Sequence, residues 1–117
     1  MIEYYGSLPF GFMDDKKVRE RLSEIVLKVF PNNEGKVFLY GSRARGDSRK
    51  DSDWDILVLT KNAANTQEAY DKYIFPFAEL GWYVNEEIIP INYSEQEWEE
   101  RKNSLFYHNV MHDAIRL

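Results

Sequence analysis

Two stretches carry the residue types that chemistry on phosphate esters needs. The first is Val37-Phe38-Leu39-Tyr40-Gly41-Ser42-Arg43-Ala44-Arg45-Gly46, an apolar run that ends in a Gly-Ser turn and an arginine-rich loop. The second opens on Ser52-Asp53-Trp54-Asp55 and continues through Ile56 to Leu59. Ten residues separate Ser42 from Asp53. Apolar runs of this kind, bounded by turn residues, read as buried strands. Side chains alternate along a strand, so Asp53 and Asp55 share one face, roughly 7 Å apart. Two carboxylates this close repel, and a cation relieves the conflict. Hard oxygen donors favour Mg²⁺ or Mn²⁺. Gly41 permits a tight turn and close approach of a phosphate. If a short helix opens at Ser42, its first amides face an anion, and Arg43 and Arg45 can add charge-assisted contacts. A phosphate cradle facing a divalent-cation site suits in-line displacement at phosphorus.

Gly41-Ser42 followed at this spacing by Asp53-Trp54-Asp55 resembles the signature of the DNA polymerase beta-like nucleotidyltransferase superfamily, in particular its minimal nucleotidyltransferase (MNT) branch. The resemblance covers about residues 20–92. It implies an α/β (α+β) nucleotidyltransferase fold, with a small mixed β-sheet and helices packed on one face. It also implies transfer of an NMP, with AMP from ATP the expected case, onto a hydroxyl acceptor with release of pyrophosphate. On this reading Gly41, Ser42, Arg43 and Arg45 bind the nucleotide, and Asp53 and Asp55 hold Mg²⁺ (or Mn²⁺). The family adds a third carboxylate, usually Asp, on the neighbouring strand, as metal ligand and general base. Glu87 is the expected counterpart here, because Val84 facing the core turns Asn85, Glu87 and Ile89 toward the site. A bulge would substitute Glu86.

Stand-alone members of the branch are often paired with a small helical HEPN-domain toxin, which they neutralise by adding AMP to a tyrosine or by tight binding. The resemblance therefore supports two further readings. One is an antitoxin that acts by binding alone, and the other a degenerate, non-catalytic nucleotide-binding domain.

Composition narrows the field. The chain has 117 residues, a formal net charge of -5, 44% hydrophobic and 15% aromatic residues, and no cysteine. That length suits one domain over 1–117, and the apolar content argues against disorder. Without cysteine there is no disulfide framework and no thiolate metal site or nucleophile. An acidic chain is a poor candidate for nucleic-acid binding. No apolar run is long enough for a membrane span and no signal peptide opens the chain, so the expected location is the cytoplasm. A homo-oligomer is compatible with all of this.

The elements that must position the motif follow from periodicity. Met1 to Met13, with Tyr4, Tyr5, Phe10 and Phe12 among Gly6, Pro9 and Gly11, reads as an irregular arm. Asp14 to Phe30 carries an apolar stripe at helical spacing through Val18, Leu22, Ile25, Val26, Val29 and Phe30, and Pro31 stops it. The strands are Lys36–Tyr40, Trp54–Thr60 and Trp82–Ile91, the second with Trp54, Ile56 and Val58 opposite the carboxylates. The loop 47–52 reads as charged and mobile, with Arg49 and Lys50 solvated. A helix should start at Asn65, with Glu68 completing a capping box, kink or break at Pro76, and end at Gly81. Ser94 and Glu97 cap a helix running to Lys102, and a last helix spans Leu105–Leu117. His108 and His112 lack the glutamate of a zinc-protease motif, so packing or surface roles are expected for them.

Overall fold

The computed structural model describes residues 14–117; the expected arm Met1 to Met13 lies outside them. Helix α1 (Asp15–Val29) starts where the Asp14 carboxylate accepts from the Lys17 amide at 2.8 Å. This cap satisfies one of the amides that a helix start leaves unpaired. Strand β1 (Gly35–Tyr40) leads into a single helical turn, α2 (Ser42–Arg45), and β2 (Trp54–Thr60) returns antiparallel to β1. Helices α3 (Gln67–Tyr73) and α4 (Phe75–Val84) then carry the chain to β3 (Ile88–Ser94), parallel to β2. Helices α5 (Glu95–Glu100) and α6 (Leu105–Asp113) precede a two-residue strand, β4 (Ile115–Arg116), antiparallel to β1. The sheet order is β3-β2-β1-β4, the mixed α/β arrangement expected from the sequence.

Alternation along the strands sorts the core into two clusters. Val37, Leu39, Trp54, Ile56, Val58 and Ile88 pack against Val18, Leu22 and Ile25 of α1 and Phe77, Leu80 and Val84 of α4. This is the main helical layer, and the carboxylates lie on the other face. The expectation of helices on one face alone does not hold: at its far end the second face is covered too, where Leu57 and Leu59 meet Trp98 of α5 and Val110 of α6. Among the described residues, the core contacts of α5 and α6 on this face are with Leu57 and Leu59 rather than with the Asp53–Asp55 end.

Several boundaries differ from the periodicity reading. The break near Pro76 is complete: α3 and α4 are separate helices and Pro76 sits in the first turn of α4, where a missing amide costs nothing. Thr66, not Asn65, caps α3, its side chain accepting from the Ala69 amide. Gly81 does not end the helix. Its α-carbon lies so close to the Glu86 carbonyl that a β-carbon would collide with it, and the left-handed cap falls on Asn85 (φ 55°). Consequently Trp82, Tyr83 and Val84 are helical and β3 starts only at Ile88. Glu86 and Glu87 therefore belong to a turn ahead of the strand, not to its interior. The last helix stops at Asp113 and the following residues join the sheet as β4. The expected Ser94–Glu97 capping box forms in full, though α5 ends at Glu100 rather than Lys102.

Candidate active site

Gly41 joins β1 to α2 with φ 76° and ψ -159°, a conformation open essentially to glycine alone. The Asp55 carboxylate occupies the space in which a side chain at position 41 would lie. The turn and the carboxylate are thus built against each other. The amides of Ala44 and Arg45 both donate to the Gly41 carbonyl at 3.0 Å, closing the turn, and Gly46 ends it in the left-handed region. Asp53 is exposed and Asp55 partly buried on the same face. Burial raises the Asp55 pKa above its ordinary value and the Asp53 charge adds to this, while Arg45 draws it back down. Tyr40 pairs with Asp55 across β1 and β2. Burial first, then Asp55 and Tyr93, push the Tyr40 phenol up to about 12, so it stays neutral at physiological pH.

The two arginines part company. The sequence reading gives Arg43 to phosphate; the structure turns its side chain inward. Its guanidinium, only 4% exposed, donates to the carbonyls of Ser52 (2.9 Å) and Lys50 (3.2 Å), to Ser48 Oγ (3.3 Å), and to the carboxylates of Asp15 (3.1 Å) and Glu86 (3.3 Å). It also lies over the Trp54 ring at 4.8 Å. Trp54 faces the helical layer, away from the carboxylates. Arg43 is therefore a strut that folds the loop 47–53, and the loop expected to be mobile is tied at three points. Arg49 and Lys50 are exposed, as expected. Arg45, half exposed, stays on the site side. Its Nε donates to Asp47 at 3.1 Å and its Nη1 to Asp113 at 2.8 Å.

The third carboxylate is the largest departure. Glu86 accepts from Arg43 and from Trp54 Nε1 (3.2 Å), on the helical side. Glu87 is exposed in the turn, and its carbonyl accepts from the Trp54 amide at 2.8 Å. Among the described residues no group of three or more His, Cys, Asp and Glu side chains could hold a metal ion. The register pairs Asp55 with Ile89, so the neighbouring strand presents an isoleucine beside that carboxylate. Asp53 and Asp55 still form a hard-oxygen donor pair with one member held above its ordinary pKa, a set that a divalent cation would neutralise.

The nucleotidyltransferase domain family model matches residues 16–110. The chain belongs to that family. A solved minimal nucleotidyltransferase matches it with a TM-score of 0.60 and 26% identity, over 90% of this chain and 97% of the other. This likeness puts the domain in the minimal branch. A toxin–antitoxin crystal structure with AMP-PNP shares the fold, with a TM-score of 0.53 and 16% identity over 80% of this chain and 69% of the other. No curated protein matches the chain.

Nucleotidyl transfer is the activity that family membership carries. In this minimal nucleotidyltransferase the sequence reading missed Asp113, which sits 68 residues beyond Arg45 and holds it. No motif announces that contact. It arises because β4 returns the chain to β1, and a two-residue strand leaves no periodicity to read. The cavity of about 600 Å³ lined by Ala78, Gly81, Trp82, Asn85, Glu86, Glu87 and Ile88 lies at the α4–β3 turn, not at the carboxylates. No helix among the described residues is long and apolar enough to cross a membrane.

Proposed function

We propose that this domain transfers AMP from ATP to a phenolic hydroxyl, a tyrosine of a HEPN-domain partner protein. The observation that carries the reading is the Asp55 carboxylate lying against Gly41, which joins the carboxylate pair to the start of α2. The triphosphate would lie on Gly41 and Ser42, against the amides of Ser42 and Arg43, with Arg45 reaching it from the side. Asp53 and Asp55 would hold Mg²⁺, which supplies charge neutralisation to the phosphates when bound. In the step itself the acceptor oxygen bonds to the α-phosphorus and the α–β bridging bond breaks. Pyrophosphate leaves with the electron pair, and the phenol proton passes to water at the exposed Asp53 edge.

A phenol suits this site better than an alcohol. With isoleucine at the register position beside Asp55, no third carboxylate among the described residues joins the pair as general base. A tyrosine hydroxyl, with a pKa of about 10, gives up its proton far more readily than a serine hydroxyl. Ile89, partly exposed next to Asp55, offers an apolar surface to an aromatic ring. The same lack of a third acid favours a second reading, neutralisation of the partner by binding alone.

Label transfer from α-labelled ATP with Mg²⁺ to a tyrosine peptide and to its serine counterpart tests the first reading. Labelling of the tyrosine peptide only, abolished in Asp53→Asn/Asp55→Asn, is expected. Equal labelling of serine would remove the phenol argument. No labelling by a wild type that still binds and neutralises the partner would favour the second reading.

A further inference from the structure

We infer that Asp113 is a positioning residue for nucleotide binding, holding the Arg45 guanidinium at the mouth of the site for the triphosphate. The inference rests on the reading of the Gly41–Asp55 site given above and adds to it a residue outside the motif.

The geometry has three parts. First, Arg45 is clamped from two sides: Asp47 takes Nε and Asp113 takes Nη1. The Nη2 end has no hydrogen-bond partner among the described residues. A guanidinium has five N–H donors in a rigid plane, so fixing two edges aims the third. Second, Asp113 is itself well placed to hold. Its side chain is 10% exposed while that of Arg45 is 46% exposed, and its second oxygen meets His112 Nδ1 at 3.2 Å. Those two partners keep the Asp113 carboxyl below its usual range, hence charged. Third, the spacing between Arg45 and Asp113 is set by one strand. Arg45 lies one turn beyond the end of β1. Asp113 lies just ahead of β4, which pairs Ile115 with Leu39 and Arg116 with Phe38, and the Leu117 amide donates to the Val37 carbonyl at 2.9 Å. Both ends of the ion pair are thus anchored on β1, which also delivers Gly41.

A salt bridge whose guanidinium is half exposed is worth little to stability, so 113–45 pairing has its consequence in aim rather than in folding energy. Free, Arg45 would sample many rotamers and ordering it would weaken nucleotide affinity. Held, it is preorganised.

Calorimetric titration of ATP with Mg²⁺ into wild type, Asp113→Asn, Arg45→Ala and the double variant tests this, with thermal melts of each apo-protein. The expected result is at least fivefold weaker binding in Asp113→Asn and no further weakening when that change is added to Arg45→Ala. A merely structural role would lower the melting temperature and weaken binding by the same factor in both backgrounds, and that would overturn the inference. So would wild-type affinity in Asp113→Asn. If wild type itself fails to bind ATP while Asp53→Asn/Asp55→Asn behaves identically, the proposed function falls, and this inference with it.

Discussion

The Asp55 carboxylate lies within clashing distance of where a β-carbon on Gly41 would be, so the residue that turns the chain and the residue that would bind a cation leave no room for a side chain between them. Gly41→Ala meets two obstacles at once, a φ of 76° and the carboxylate itself. We expect a loss of about 1–3 kcal/mol in urea unfolding. Because Asp55 must also move, Mg²⁺-dependent ATP binding should fall by more than the stability loss explains. Normal ATP affinity in a folded Gly41→Ala protein would show that the contact is incidental.

Asp55 should destabilise the metal-free protein at neutral pH. Its folded-state pKa is raised by burial and by Asp53, so the folded form resists ionisation more than the unfolded chain does. The penalty is complete above the raised folded value and vanishes as pH falls below the unfolded value. Asp55→Asn is therefore expected to raise the melting temperature by a few degrees at pH 7 without metal. The gain should disappear toward pH 3, while activity is lost. Melting curves across pH check the sign.

Removing the Arg43 side chain should be costly. Arg43→Met leaves Glu86 facing Trp54 without its cation and frees three loop acceptors, a loss of about 3–5 kcal/mol. Arg43→Met with Glu86→Gln should recover part of it, since no buried charge is then stranded. Chemical denaturation of the two variants measures the difference. If the double variant is no more stable than the single, the pairing with Glu86 carries no weight.

Ile89→Asp would put a third acid directly beside Asp55 on the neighbouring strand. Adding a charged oxygen donor is expected to tighten Mn²⁺ binding roughly tenfold. It should also extend label transfer from tyrosine to serine peptides. Unchanged Mn²⁺ affinity would mean the register position does not reach the cation.

Most of the frame was legible because it is written in short-range chemistry. The β2 limits follow from the apolar run Trp54–Thr60, the cap of α5 from Ser94 and Glu97, and the α3–α4 break from Pro76. What misled was residues whose reason is tertiary. Gly81 looks like a helix end, yet it is there because the Glu86 carbonyl presses on it. That error alone moved the start of β3 by six residues, from Trp82 to Ile88, and with it the expected third carboxylate. Arg43 and Arg45 are alike in sequence but stand on opposite sides of the sheet. Only the contacts with Trp54 and Asp113 tell them apart. Asp113 itself is unreadable from the chain, since its contact is made by the fold.

The Arg43 strut also sets how the molecule opens. One buried guanidinium joins the first turn of α1, the loop 47–53 and the turn before β3. These three segments are far apart in the chain, yet each accepts from the same guanidinium, so none can detach without leaving a buried donor unpaired. They should behave as one cooperative unit, so the loop amides would exchange with solvent through the same opening event as α1 rather than by independent fraying. The motif's two halves, Gly41-Ser42 and Asp53-Trp54-Asp55, are then kept in fixed relation by a residue lying between them.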